Sequence, residues 1–254
     1  MRLERLNRAF GRRFNVSPKN VYAAGKAYWR RFLRDVMGVT YSADATSVNI
    51  VLDDVQAIYC GIPKVGTRTF VQELMENKTL GKNVRIYNKS LTALIERSPE
   101  LKEYYSFSFV RNPWSRVVSV YNSKICHPKI SSVRTYFIRY KGLRYKMPFQ
   151  EFVEWLCCSE EGQDECADRH WISQYLFLYE VNNLLVNRVS PFENLSAEWD
   201  DICKKISGKH CTLGNYSRKT SSSIGSYRVY YDQRLADLVA ERYARDIEIF
   251  GYAF

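Results

Sequence analysis

Two segments of the chain pass from a strand-like run through a tight loop into a helical repeat. The first run covers residues 54–61 and ends in Ile62-Pro63-Lys64-Val65-Gly66-Thr67-Arg68-Thr69. Phe70, Val71, Leu74 and Met75 then recur at the spacing of one helix face. The second run covers residues 105–110 and ends at Arg111. Asn112 suits a helix cap and Pro113 a first helical turn. Trp114, Val117, Val118, Tyr121 and Ile125 follow as a core-facing stripe, with Ser115, Ser119 and Asn122 on a separate polar one. Weaker patterns predict helices near 90–97, 149–155, 195–206 and 232–250, and a strand over 184–189. Strands alternating with helices predict an α/β fold, a mainly parallel β-sheet flanked by helices.

The chain has 254 residues, 46% of them hydrophobic, which is enough for one sizeable core and excludes wholesale disorder. Residues 1–45 read as a basic lead, helical and packed on the domain, and residues 46–254 as the domain itself. Leu3, Leu6, Phe10 and Phe14 recur at helical spacing opposite several arginines, a pattern that also suits peripheral contact with a membrane surface. No apolar run approaches the roughly 18–20 residues of a membrane span, and the N-terminus lacks the apolar core of a secretory signal. An unanchored chain of this kind is expected in the cytoplasm. The alternative is a Golgi lumen, should the chain lack its native anchor. Five Asn-x-Ser/Thr sequons, at Asn15, Asn77, Asn88, Asn194 and Asn215, suit that alternative; chance gives about two.

Charge narrows the partners. The net charge is +11, residues 1–38 hold ten Lys/Arg against two acids, and residues 104–150 hold nine Lys/Arg and no acid. Such a surface favours a polyanion: a nucleotide phosphate, an acidic polysaccharide, nucleic acid or an anionic membrane. No recognition helix, RNP or zinc-finger signature accompanies it, so nucleic acid is not expected. Seven cysteines without a CxxC pair, and three histidines, give no zinc pattern, and no metal is expected.

The loop at 62–69 has the makings of an anion site, because unpaired backbone N–H groups and a helix dipole meet there. Pro63 stiffens its entry, Gly66 permits close backbone approach, Thr67 and Thr69 offer hydroxyl donors, and Lys64 and Arg68 add charge. The order Lys-x-Gly is not the Walker A order, which weakens an ATP- or GTP-dependent phosphotransferase. Arg111 offers a fork matched to phosphate, and Ser119 a hydroxyl on the following helix. Two anion sites at successive strand ends suit a nucleotide phosphorylated at two positions.

The segment IYCGIPKVGTRTF resembles the 5′-phosphosulfate loop of Golgi-type carbohydrate sulfotransferases and their bacterial relatives, and FSFVRNPWSRVVSVYNSK resembles their 3′-phosphate strand and helix. His170-Trp171, Pro191-Phe192-Glu193-Asn194-Leu195 and the ending YARDIEIFGYAF match further family segments in order. The resemblance implies a sulfotransferase fold related to P-loop proteins. It implies the donor 3′-phosphoadenosine 5′-phosphosulfate (PAPS) and transfer of its sulfuryl group to a carbohydrate hydroxyl by in-line displacement. On that footing Pro63, Lys64, Val65, Gly66, Thr67, Arg68 and Thr69 form the 5′ side, with Lys64 at the bridging oxygen, and Arg111 and Ser119 hold the 3′-phosphate. The chain departs from relatives that carry a histidine between the two phosphate segments, for residues 69–110 contain none. His170 is the first candidate for the base, followed by Glu96, Glu100, Glu103 and His127. Glu193 reads as structural or as ordering the nucleotide side, and Arg218 and Lys219 as a loop that could close over it. The basic, Tyr-rich region 124–146 is a candidate acceptor surface for an anionic saccharide. Competing readings are a non-catalytic module for nucleic acid or acidic glycan, and the phosphotransferase.

Overall fold

The two strand–loop–helix segments lie next to each other in one sheet. The computed structural model describes residues 46–76, 80–127, 137, 140–212 and 226–254. Strand β1 (Ser47–Leu52) turns through a 3-10 segment at Asp53–Val55 into β2 (Ala57–Gly61), which is followed by α1 (Thr67–Glu76). Next come β3 (Val84–Lys89), α2 (Leu91–Arg97), β4 (Tyr105–Val110) and α3 (Pro113–Val120), which runs on into a π-helix at Tyr121–Cys126. After α4 (Phe149–Cys158) and the short α5 (Tyr175–Leu178) come a small ribbon of β5 (Tyr179–Glu180) and β6 (Asn183–Leu184), then β7 (Arg188–Pro191), α6 (Leu195–Ser207), α7 (Gln233–Arg242) and α8 (Ala244–Phe250). The expected lead at 1–45, the sequons at Asn15, Asn77 and Asn215, the pair Arg218–Lys219 and most of 128–139 lie outside the described residues.

The described residues divide into two compact units, one of 46–119 with 167–254 and one within 120–166. In the smaller unit Tyr121 packs edge-on against Phe149 at 5.0 Å between ring centres, and the Trp155 indole N–H donates to the Lys141 carbonyl at 2.8 Å. His127 belongs to this unit.

The larger unit holds the five-stranded sheet in the order β3-β1-β2-β4-β7. Strand β1 is antiparallel to both its neighbours, whereas β2–β4 and β4–β7 are parallel. The fold is therefore α/β, as the alternation implies, with both predicted segments in its parallel half. From β2 the chain moves through α1 to β3 on one side; from β4 it proceeds to β7 on the other. Adjacent parallel strands whose connections leave in opposite directions form a topological switch point, and a crevice opens there at their C-terminal ends. Both predicted anion loops begin at those ends.

Aromatic packing fixes α1 over this crevice. Tyr59, Phe107 and Phe109 project from β2 and β4 against Phe70 of α1 and Trp199 of α6, with Phe70 stacked on Phe109 at 4.6 Å. All five side chains are fully buried. Phe70 sits in the first turn of α1, so the anchored end of that helix is the end facing the crevice.

The predicted strand over 184–189 is two short strands. The Asn187 amide oxygen accepts from the Ser106 N–H at 2.7 Å and from its hydroxyl at 2.9 Å, which turns the chain away from β5 and onto β4. The long helix predicted over 232–250 breaks at Tyr243, whose hydroxyl reaches the Trp171 carbonyl at 2.6 Å.

Candidate functional site

The loop from Ile62 to Gly66 is shaped for close approach by an anion. Lys64 has φ +76° and Gly66 φ +79°. Left-handed residues interleaved in such a loop turn successive N–H groups toward one concavity. For lysine this conformation costs about 1–2 kcal/mol, and strain of that kind concentrates at functional sites. Gly66 accepts the first helical bond, from Phe70 N at 3.2 Å, so the N–H groups of Thr67, Arg68 and Thr69 start α1 without helical acceptors. Every charged residue in 62–70 is a cation. Val65 is fully buried and can offer only its backbone; Arg68 is exposed. The Thr67 hydroxyl, expected as a donor to the anion site, donates here to the Ile62 carbonyl and closes the loop. The side chain of Thr69 lies outside the described residues.

Arg111 joins this loop from the end of β4. Its Nη1 donates to the Lys64 carbonyl at 3.3 Å and its Nε to the Ser115 hydroxyl at 2.9 Å, while its guanidinium lies 5.1 Å from the centre of the Phe192 ring. Burial pulls the Arg111 pKa down to about 10, with the nearby Glu193 carboxylate opposing the fall. At neutral pH the group is thus a desolvated cation. Ser119 is half-buried, one turn beyond Ser115 on the same helix face.

Phe192 is the wall between the two corners. A Cβ on Gly66 would stand 2.8 Å from its Cε2. Gly66→Ala is expected to cost about 1–2 kcal/mol in backbone strain and a further ~1–3 kcal/mol in overpacking against Phe192. Gly251→Ala, at φ +67° with nothing within 4 Å of the added Cβ, is expected to cost the first amount only. Equilibrium denaturation of the two variants checks the difference; equal losses would mean that Phe192 does not brace the loop.

A hydrogen-bonded frame supports Arg111 from below. The Gln174 side chain bonds both the N–H and the carbonyl of Arg111, at 2.9 and 2.8 Å. Fully buried Asp246 accepts from Gln174 N at 2.8 Å and Tyr175 N at 2.9 Å, and burial raises its pKa despite those bonds. Glu193 accepts from Asn112 N at 2.8 Å, and the Tyr252 hydroxyl lies 3.1 Å from the same carboxylate and 3.0 Å from the Val110 carbonyl. Asn112 caps α3 through Ser115 N and donates to the Ala253 carbonyl at 2.9 Å. The segments that resemble one family in order along the chain are therefore one network in space.

His170 lies in a turn closed by bonds from Trp171 N and Ile172 N to the Asp168 carbonyl. Its Nδ1 pairs with the Asp168 carboxylate. Against an ionised Asp168, which can only accept, Nδ1 would carry the proton and leave Nε2 as the basic nitrogen. The glutamate alternatives are badly placed. Glu100 and Glu103 precede β4, whose six residues put about 20 Å between its two ends. Glu96 sits at the far end of α2, which leads back toward that same side.

Sequence reasoning gave no role to Arg116, Gln174 or Ser115. Arg116 stands within the segment FSFVRNPWSRVVSVYNSK that carries the resemblance but off its polar stripe, and a lone glutamine carries no pattern.

The fold and site define a class first: an α/β protein with two cationic β-to-α corners at a switch point. The profile of the Sulfotransferase family matches residues 49–253, and the chain belongs to that family. Its relatives include carbohydrate sulfotransferase 11 of Rattus norvegicus, 25% identical over 235 residues, and carbohydrate sulfotransferase 14 of Danio rerio, 21% identical over 234. Each match covers 80% of this chain, and 66% and 61% of the respective relative, so the chain spans less than two thirds of their length. No solved structure matches the chain. These relatives correct the cytoplasmic expectation: they are of the Golgi type that the motifs resemble, which is not a cytoplasmic class. Among the described residues no helix is long and apolar enough to cross a membrane.

Proposed function

We propose that the protein transfers a sulfuryl group from PAPS to a hydroxyl of a carbohydrate. The observation that carries this reading is the meeting of the two corners, where the Arg111 guanidinium donates to the backbone of Lys64. The residues present fit such a donor. Cations and helix-start N–H groups make one corner, and a buried cation with a neighbouring serine makes the other. Lys64 to Thr69 would hold the 5′ side, and Arg111 with Ser119 the 3′-phosphate.

PAPS, when bound, supplies a sulfuryl group on an activated phosphosulfate linkage. The chain's own residues orient and stabilise. The Lys64 ammonium offsets negative charge that gathers on the departing oxygen, a task for fixed charge rather than covalent chemistry. The His170 Nε2 accepts the proton of the attacking hydroxyl, and Asp168 holds the ring and steadies the imidazolium that results. The carbohydrate acceptor comes from the names of the relatives, and the basic surface favours an anionic one.

The test is a transfer assay with 35S-labelled PAPS across unsulfated chondroitin, heparosan and neutral oligosaccharides, followed by mass spectrometry of the product. Label is expected on a sugar hydroxyl. Binding of the nucleotide without transfer to any glycan would overturn the carbohydrate reading.

A further inference from the structure

Arg116 is 98% buried and stands between the two halves of the chemistry. Its Nε donates to the Pro63 carbonyl at 3.3 Å, in the residue before Lys64. Its Nη1 donates to the Ile172 carbonyl at 2.8 Å. Ile172 ends the turn whose Asp168 carbonyl it bonds and whose Asp168 carboxylate pairs with His170. One planar, charged fork therefore ties the loop beneath the ammonium to the turn beneath the imidazole.

A structural reading of Arg116 needs only a buried cation with acceptors. Two features go beyond that. Both of these acceptors are main-chain carbonyls, one from each functional segment, so the two bonds fix backbone position. The turn has a second, separate anchor in the Tyr243 hydroxyl on the Trp171 carbonyl, so loss of Arg116 would free its distance to the Lys64 loop more than its fold. Arg116 also interacts electrostatically with buried Asp246, which is itself engaged with Gln174 and Tyr175.

We infer that Arg116 is a positioning residue that locks the Lys64 loop to the Asp168–His170 turn, so that the charge-stabilising and proton-accepting groups keep one spacing. This rests on the sulfuryl-transfer reading above. Lysine cannot replace the fork, because a point ammonium does not span two carbonyls in a fixed plane.

The closing experiment uses the full chain, with PAPS as donor and as acceptor the panel polysaccharide that takes up most label. Arg116→Lys is expected to lower kcat by about 10²-fold through misplacement alone, while the dissociation constant for 3′-phosphoadenosine 5′-phosphate stays within a few-fold of wild type. In the His170→Asn background the same substitution is expected to cost little further, because coupled residues are not additive. A purely structural role would give equal losses in both backgrounds, and that result would overturn the inference. Should Arg116→Lys not fold, hydrogen exchange on the wild type decides. Adding 3′-phosphoadenosine 5′-phosphate is expected to slow exchange in peptides covering 62–66 and 170–174 together; protection of the first without the second would overturn the lock. A wild type that binds no nucleotide would remove the sulfuryl-transfer reading and this inference with it. A wild type that transfers sulfate while Arg116→Lys does so equally well would remove the inference alone.

Discussion

Lys64→Ala is expected to lower sulfuryl transfer by about 10²–10³-fold, the usual cost of one fixed charge contact at a developing anion. The fold should survive, because the side chain is only half-buried and alanine keeps the backbone in its left-handed turn at φ +76°. Lys64→Gly separates the two roles. It removes the ammonium and relieves the strain, so it is expected to raise stability by roughly 1 kcal/mol while losing transfer as fully as alanine does. Steady-state rates beside thermal melts for the two variants check this. A glycine variant that is less stable than wild type would mean that the loop conformation is not strained. A rate within a few-fold of wild type would remove Lys64 from the chemistry.

Arg111→Met is expected to abolish useful nucleotide binding. Truncating a buried, hydrogen-bonded charge at a binding site costs about 2–5 kcal/mol, roughly 30-fold or more in dissociation constant. Methionine keeps much of the volume, and Gln174 still holds the main chain of residue 111 by two bonds, so the strand end should remain in place. Arg111→Lys is expected to fall between, since it keeps the charge and loses the planar fork that now reaches both Ser115 and the Lys64 carbonyl. Calorimetric titration with 3′-phosphoadenosine 5′-phosphate measures both. The order wild type, Lys, Met in falling affinity is the expected result; a methionine variant that binds as well as wild type would place the 3′-phosphate elsewhere.

What could be read from the sequence follows the strength of local signals. Strand β2 is apolar, strand β4 alternates serine with aromatic residues, and both end in loops whose chemistry is specific, so both corners were legible. Strand β1 was not, because Ser47 and Asn49 interrupt its apolar pattern and no loop of comparable chemistry follows it. Both are buried, with hydrogen bonds to the Lys89 carbonyl, a partner forty residues away in the chain. Strand β3 was missed for the opposite reason: as a half-exposed sheet edge it carries Arg85, Asn88 and Lys89 and has no apolar run. The frame beneath Arg111 needed coordinates. Glu193, Gln174, Asp246 and Tyr252 are scattered between positions 174 and 252, and only the packing of α8 beside α5 brings the Asp246 carboxylate to the Gln174 and Tyr175 amides. The closing Gly251 has a local reason, since it caps α8 at φ +67° and sends Tyr252 back toward Val110.

The measurement that bears most directly on the paired corners is calorimetric titration of the wild-type protein with three nucleotides: 3′-phosphoadenosine 5′-phosphate, adenosine 5′-phosphate and adenosine 3′-phosphate. Each charged contact contributes about 1.5–3 kcal/mol, so the bisphosphate is expected to bind at one site at least about tenfold more tightly than either monophosphate. Equal affinity for the bisphosphate and one monophosphate, or no heat with any of the three, would contradict the account.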